Sequence, residues 1–218
     1  MRTAAILPVK NFPQAKQRLG MGVGEQLRGV LARAMVGDVL VALRETPAVE
    51  KTIVVTAEPA VLRAARYLGA GVVEDRLQEG QSAAVALGIE QARTDGFQRV
   101  LCVPGDCPAL DPSELEDLLS KPVAAPEVLV IPDRHGTGTN GLLLTPPDAI
   151  APSFGADSCA RHQQLAQEAS VRCELASPPS LLLDIDTSAD LEVLRERLWT
   201  IRDRAPRTRA ALGSSGRS

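Results

Sequence analysis

A short apolar run that stops dead at an acid limits what this chain can fold into. From Arg99 the sequence reads Val100-Leu101-Cys102-Val103 and then breaks into Pro104-Gly105-Asp106-Cys107-Pro108. Consecutive apolar residues without polar alternation suit a strand covered on both faces, and such strands belong to mostly parallel sheets flanked by helices. Ligands of those sheets bind outside the carboxyl ends of the strands, which makes Asp106 a ligand-facing carboxylate. Gly105 allows a close bend and Pro108 stiffens the exit. Asp111-Pro112-Ser113-Glu114 then supplies an N-cap, a proline at the first helical position and an acid at the third.

The same alternation of strand and helix runs through the first half. Thr3 to Val9 reads as a first strand, followed by a loop with three cations, Lys10, Lys16 and Arg18. Such a loop suits a polyphosphate, and equally a solvated basic surface. A helix is expected from about Gly24 to Arg44, with Asp38 interrupting its apolar spacing as a solvent-facing or capping residue. Thr52–Thr56 is a β-branched strand, Pro59–Leu68 a helix and Ala70–Val73 a short strand. Glu79-Gly80-Gln81-Ser82 opens a helix that runs to about Thr94. This order predicts a single-domain α/β protein with a Rossmann-like, mixed but mainly parallel sheet.

The second half is less regular. Glu127–Ile131 and Gly141–Thr145 read as strands around the turn His135–Asn140, a hairpin-like or crossed pair. A helix follows from Ser158 to about Ala169, then a strand at Val171–Leu175. Leu181-Leu182-Leu183-Asp184-Ile185-Asp186-Thr187 reads as an apolar strand ending in two acids, and Thr187 with Asp190 as a capping box for a helix to about Arg202. From Ala205 onward the residues are small and polar, so the expected organisation is one domain over 1–204 and a disordered tail over 205–218.

Composition removes several classes of function. At 218 residues with 44% hydrophobic content and only 2% aromatics, the chain can bury a substantial core, and that core must be aliphatic. A net charge of −3 provides no basic field, which argues against nucleic acid as the partner. No apolar run approaches the roughly 20 residues needed to span a bilayer. Four cysteines without paired spacing read as reduced thiols in a cytoplasmic protein.

The chemistry rests on three carboxylates at strand ends: Asp106, Asp184 and Asp186. Alternate residues of an extended segment share a face, so Asp184 and Asp186 point to one spot while Ile185 packs away. Carboxylate oxygens without a histidine cluster suit Mg2+; helix capping is the competing explanation. A Gly-x-x-x-x-Gly-Lys-Ser/Thr loop is missing, and Gly136-Thr137-Gly138 lacks the third glycine of a dinucleotide fingerprint.

Taken together, Ile6-Leu7-Pro8-Val9-Lys10 with Ala15-Lys16-Gln17-Arg18-Leu19, Pro104-Gly105-Asp106-Cys107-Pro108, Gly136-Thr137-Gly138-Thr139-Asn140, Phe154-Gly155 with Ser158 and His162, and Asp184-Ile185-Asp186-Thr187 resemble the guanylyltransferases of coenzyme F-420 biosynthesis. The resemblance covers nearly the whole chain except the tail. It implies a nucleotide-diphospho-sugar transferase fold of the GT-A type, making 1–204 a guanylyltransferase domain. It also implies transfer of GMP from GTP to phosphoenolpyruvate, or to 2-phospho-L-lactate or 3-phosphoglycerate, with pyrophosphate released.

By the same resemblance Mg2+ sits on Asp106, Asp184 and Asp186, and the acceptor phosphate at Thr139, Gly155 and Ser158. Ser158 also makes sense physically, because free N–H groups and the positive dipole end favour an anion at a helix start. Lys10, Lys16 and Arg18 are expected to hold the triphosphate, with Lys10 and Asp106 as the catalytic residues. Gly80 and Gln81 are expected near the base, where family members commonly read Gly-Leu-Asn and this chain reads Gly80-Gln81-Ser82. The product is expected to pass to the next transferase of the pathway. Cytidylyltransferases share the fold but carry a Gly-Gly-rich loop where this chain has Pro8-Val9-Lys10. A non-catalytic nucleotide sensor is the reading from another class.

Overall fold

The computed structural model describes residues 1–12 and 24–214. The elements follow in the order β1 (Thr3–Val9), α1 (Glu25–Glu45), β2 (Lys51–Thr56), α2 (Pro59–Tyr67), β3 (Gly71–Glu74), α3 (Gln81–Thr94), β4 (Arg99–Cys102) and α4 (Pro112–Leu119). After these come β5 (Glu127–Pro132), β6 (Thr139–Thr145), α5 (Ser158–Glu168), β7 (Arg172–Leu175), α6 (Ser188–Thr200) and α7 (Pro206–Ser214). The strands form one seven-stranded sheet in the order β3-β2-β1-β4-β6-β5-β7. β1 pairs in parallel with β2 and β4, whereas β6 runs antiparallel to both β4 and β5. The mixed, mainly parallel α/β sheet expected from the sequence is the one observed.

Period-two alternation divides the core between the sheet's two faces. Ala5, Leu7, Val54, Leu101 and Leu143 pack on one face with residues of α1, α2 and α4. Ala4, Ile6, Ile53, Val100 and Leu142 pack on the other with residues of α3 and α5. Strands buried on both sides cannot show a polar face, which is why β1 and β4 read as unbroken apolar runs. The starts of α4 and α6 follow their local chemistry. Asp111 accepts from Ser113 N–H at 2.9 Å with Pro112 at the first helical position, and Thr187 and Asp190 form the reciprocal capping box of α6.

The structure corrects two expectations and, for Asp38, decides between the two alternatives. Leu181–Thr187 is not a strand: Pro179–Leu181 makes a short 3-10 turn, and the residues after it lie outside the sheet. Both neighbours of β4 are already taken, by β1 and β6, so no ladder is open to this segment there. It keeps the alternation nonetheless, with Leu183 and Ile185 buried against α1, α6 and α7. Residues 206–214 are the helix α7 rather than a disordered tail, and Thr208 and Ala211 are buried. Asp38 is buried rather than solvent-facing, and the helix it caps is α7: its carboxylate accepts from Arg207 N–H at 3.2 Å and Thr208 N–H at 2.8 Å.

Candidate active site

A cavity of about 860 Å³ opens at the carboxyl edge of β1 and β4. Because β6 runs against β4, the first residues of β6, Thr139 and Asn140, arrive at this same edge. The cavity is lined by Lys10 after β1, Gly80 and Gln81 at the start of α3, and Asp106 after β4. Thr139, Gly155, Ser158, Asp184 and Asp186 complete the set. Every site residue expected from the sequence that lies within the described residues therefore faces one space. Lys16 and Arg18 lie outside the described residues.

The acids are held from behind. Ile185 N–H donates to the carbonyl of Asp106 at 3.1 Å, which ties the segment carrying Asp184 and Asp186 to the loop after β4. Asn140 Nδ2 donates to the Leu181 carbonyl at 2.8 Å and to Asp184 Oδ1 at 3.1 Å. Asp190 Oδ2 accepts from Asp186 N–H at 3.1 Å and Thr187 N–H at 2.7 Å, while its other oxygen pairs with Arg134. Burial raises the pKa of Asp184 above the ordinary carboxylate range, and the negative charges of Asp106 and Asp186 push it the same way, against the Asn140 hydrogen bond. Such repulsion is relieved by a cation. Among the described residues no three Asp, Glu, His or Cys side chains form a cluster able to hold an ion alone. Gly105 is needed for close approach: a Cβ there would stand 2.9 Å from Val36 Cγ2 of α1.

Thr139 and the loop before α5 face one another across a buried imidazole. Ser153 N–H donates to His162 Nε2 at 2.9 Å, and His162 Nδ1 lies 3.1 Å from Thr139 Oγ1. Gly155 has φ of +118°, a conformation that favours glycine. Arg161 grips the same loop, through Ser153 Oγ at 3.1 Å, the Ser153 carbonyl at 3.1 Å and the Ala156 carbonyl. The helix start is less open than expected, since Ser158 N–H donates to the Gly155 carbonyl at 3.2 Å and Cys159 N–H to Thr137 at 3.0 Å. Ser158 thus offers its hydroxyl and the positive end of the helix dipole.

Also lining the cavity, Gly80 has φ of +109° and precedes Gln81, and Asn11 Nδ2 donates to Gln78 Oε1 at 2.7 Å. Ser82 Oγ accepts from Phe154 N–H at 2.8 Å, so the start of α3 is joined to the loop beside Ser158. The sequence assigned no role to Asn140, Ser82 or Asp190's hold on Asp186. A signal existed for Asn140, an amide at the head of the otherwise apolar run Leu142-Leu143-Leu144, but not for Ser82, whose partner lies far along the chain.

The fold is that of a solved nucleotide-diphospho-sugar transferase. A Desulfovibrio desulfuricans structure described by that name superposes with a TM-score of 0.76 at 19% identity, covering 99% of this chain and 96% of that one. A 4-diphosphocytidyl-2C-methyl-D-erythritol synthase superposes with a TM-score of 0.63 at 15% identity, covering 90% and 99%. Within that fold the chain belongs to the CofC-like guanylyl transferase family, whose model matches residues 3–196. It is 49% identical to a phosphoenolpyruvate guanylyltransferase of Conexibacter woesei, covering 97% of this chain and 96% of that one. It is also 36% identical to a 3-phospho-D-glycerate guanylyltransferase of Colwellia psychrerythraea, covering 89% and 91%.

Proposed function

We propose that this chain is a phosphoenolpyruvate guanylyltransferase, joining GMP from GTP to phosphoenolpyruvate to give enolpyruvyl-diphospho-5'-guanosine and pyrophosphate in coenzyme F-420 biosynthesis. The observation that carries this reading is the single cavity bringing together Lys10, the acids Asp106, Asp184 and Asp186, and the hydroxyls of Thr139 and Ser158. Its support from relatives is the recurrence of that activity in their names.

A phosphate oxygen of phosphoenolpyruvate attacks the α-phosphorus of GTP, and the bond from that phosphorus to the departing pyrophosphate breaks. A phosphate monoester has its second pKa near about 6, so the nucleophile is already ionised at neutral pH and needs no general base. The difficulty is bringing two polyanions together, which calls for positioning and charge compensation. Lys10 meets the triphosphate and steadies the negative charge that builds on pyrophosphate. Thr139, Ser158 and the Gly155 backbone hold the acceptor phosphate, and Gly80 and Gln81 approach the base.

The donor set fits Mg2+. Carboxylate oxygens are its ligands of choice, and it keeps water and substrate phosphates in its shell rather than filling it from a closed protein cage. The three acids line one cavity, and burial together with the charges of Asp106 and Asp186 raises the Asp184 pKa, a repulsion that a cation relieves. Asp106, Asp184 and Asp186 are the residues that would hold it. When bound it supplies positive charge against the phosphate oxygens. We place the reaction in the cytoplasm, where the four thiols persist, with the product passing to a following transferase.

One relative bears the name of a 3-phosphoglycerate enzyme, so acceptor choice is tested directly. Purified protein is given GTP, Mg2+ and an equal mixture of phosphoenolpyruvate, 2-phospho-L-lactate and 3-phosphoglycerate, and the products are weighed by mass spectrometry. The enolpyruvyl adduct is expected to dominate, with stoichiometric pyrophosphate. A dominant adduct of another acid moves the substrate assignment; GTP binding without any adduct points to a sensor.

A further inference from the structure

His162 projects from α5 into the interior, fully buried, between the two halves of the cradle assigned to the acceptor phosphate. The amide of Ser153 has only a proton to offer, so Nε2 must accept, and a neutral imidazole that accepts at Nε2 carries its proton on Nδ1. Nδ1–H therefore donates to Thr139 Oγ1, and the Thr139 hydroxyl, with a lone pair engaged from behind, keeps its own proton to give to a ligand in the cavity. The same ring braces the loop from Ser153 to Gly155, and Phe154 packs edge-on against it with ring centroids 5.1 Å apart. Burial, with help from the adjacent Arg161 charge, lowers the imidazole pKa to about 4, which keeps this tautomer at neutral pH.

We propose that His162 is a positioning residue of the acceptor subsite, fixing the Thr139 hydroxyl as a hydrogen-bond donor to the acceptor's phosphate while it holds the Ser153–Gly155 loop in place. The inference rests on the acceptor cradle argued above, and it concerns a residue that touches neither substrate.

The test compares His162→Phe, which keeps a ring and loses both hydrogen bonds, with His162→Asn, which places an amide donor where Nδ1–H stands. KM and kcat are measured for phosphoenolpyruvate and GTP separately, and phosphoenolpyruvate binding is also titrated calorimetrically. His162→Phe is expected to weaken phosphoenolpyruvate by about tenfold or more while the KM for GTP stays within about twofold, and His162→Asn to recover part of the loss. Should His162→Phe fail to fold, His162→Asn and Thr139→Val are compared singly and together: coupled, non-additive losses in phosphoenolpyruvate affinity are the expected result. Unchanged acceptor affinity, or equal losses for both substrates without rescue by Asn, would overturn the role of His162. A wild-type protein that binds phosphoenolpyruvate yet forms no product would reject the transfer reaction, while the calorimetric comparison still decides the role of His162.

Discussion

Asp106 belongs to two arrangements at once, since its carbonyl anchors the Asp184–Asp186 segment and its side chain lines the cavity. Asp106→Asn preserves the carbonyl and removes the charge. It is expected to lower kcat by about 100-fold or more with the unfolding midpoint nearly unchanged, as steady-state assays and urea titration will read. Lys10→Ala is expected to raise the KM for GTP and to lower kcat, about tenfold or more in kcat/KM; unaltered kinetics would assign Lys10 to solvent. His162 makes a separate statement about stability. Its pKa falls from 6.5 to about 4 on folding, so between those values the unfolded chain binds a proton that the native chain refuses. Stability is therefore lost as pH drops through that window and is unaffected by this group above it. Urea unfolding at pH 7.5 and pH 5 checks this, with the His162→Phe variant expected to lose that part of the dependence.

Among the elements, β1 and β4 are legible as apolar runs and β2 as a β-branched one, and the starts of α4 and α6 because their caps are local chemistry. The segments misread are those whose partners lie far away in sequence. Leu181–Thr187 has the composition of a strand, and only the sheet order reveals that β4 has no free edge. α7 looks like a tail because its anchor, Asp38, sits in the middle of α1. Asp38→Ala is expected to destabilise the protein by about 1–2 kcal/mol through loss of the cap. Ending the chain after Arg204 is expected to cost more, because Ala205 and Ala211 complete the cluster that buries Leu183 and Ile185 on either side of Asp184. Chemical denaturation of both variants measures the order. A truncated chain as stable as the full one would return 205–218 to the status of a tail.

Over the whole molecule, one reversal of direction builds the site. Parallel β1 and β4 deliver Lys10 and Asp106 to their carboxyl edge, and antiparallel β6 sends its first residues to the same place. Acids, cation and hydroxyls that are scattered along the chain thereby meet in one cavity, a convergence the residue pattern indicated and the resemblance made specific. The finer supports, such as Asn140 on Asp184 and Ser82 on Phe154, depend on packing that no local spacing encodes. The Mg2+ proposed for the converging acids would carry part of the affinity for GTP. Calorimetric titration of GTP into the wild type and Asp184→Asn, each with and without Mg2+, tests it most directly. The wild type is expected to gain at least about tenfold in GTP affinity from Mg2+, and the variant to lose most of that gain. Equal GTP affinities in all four titrations would contradict it.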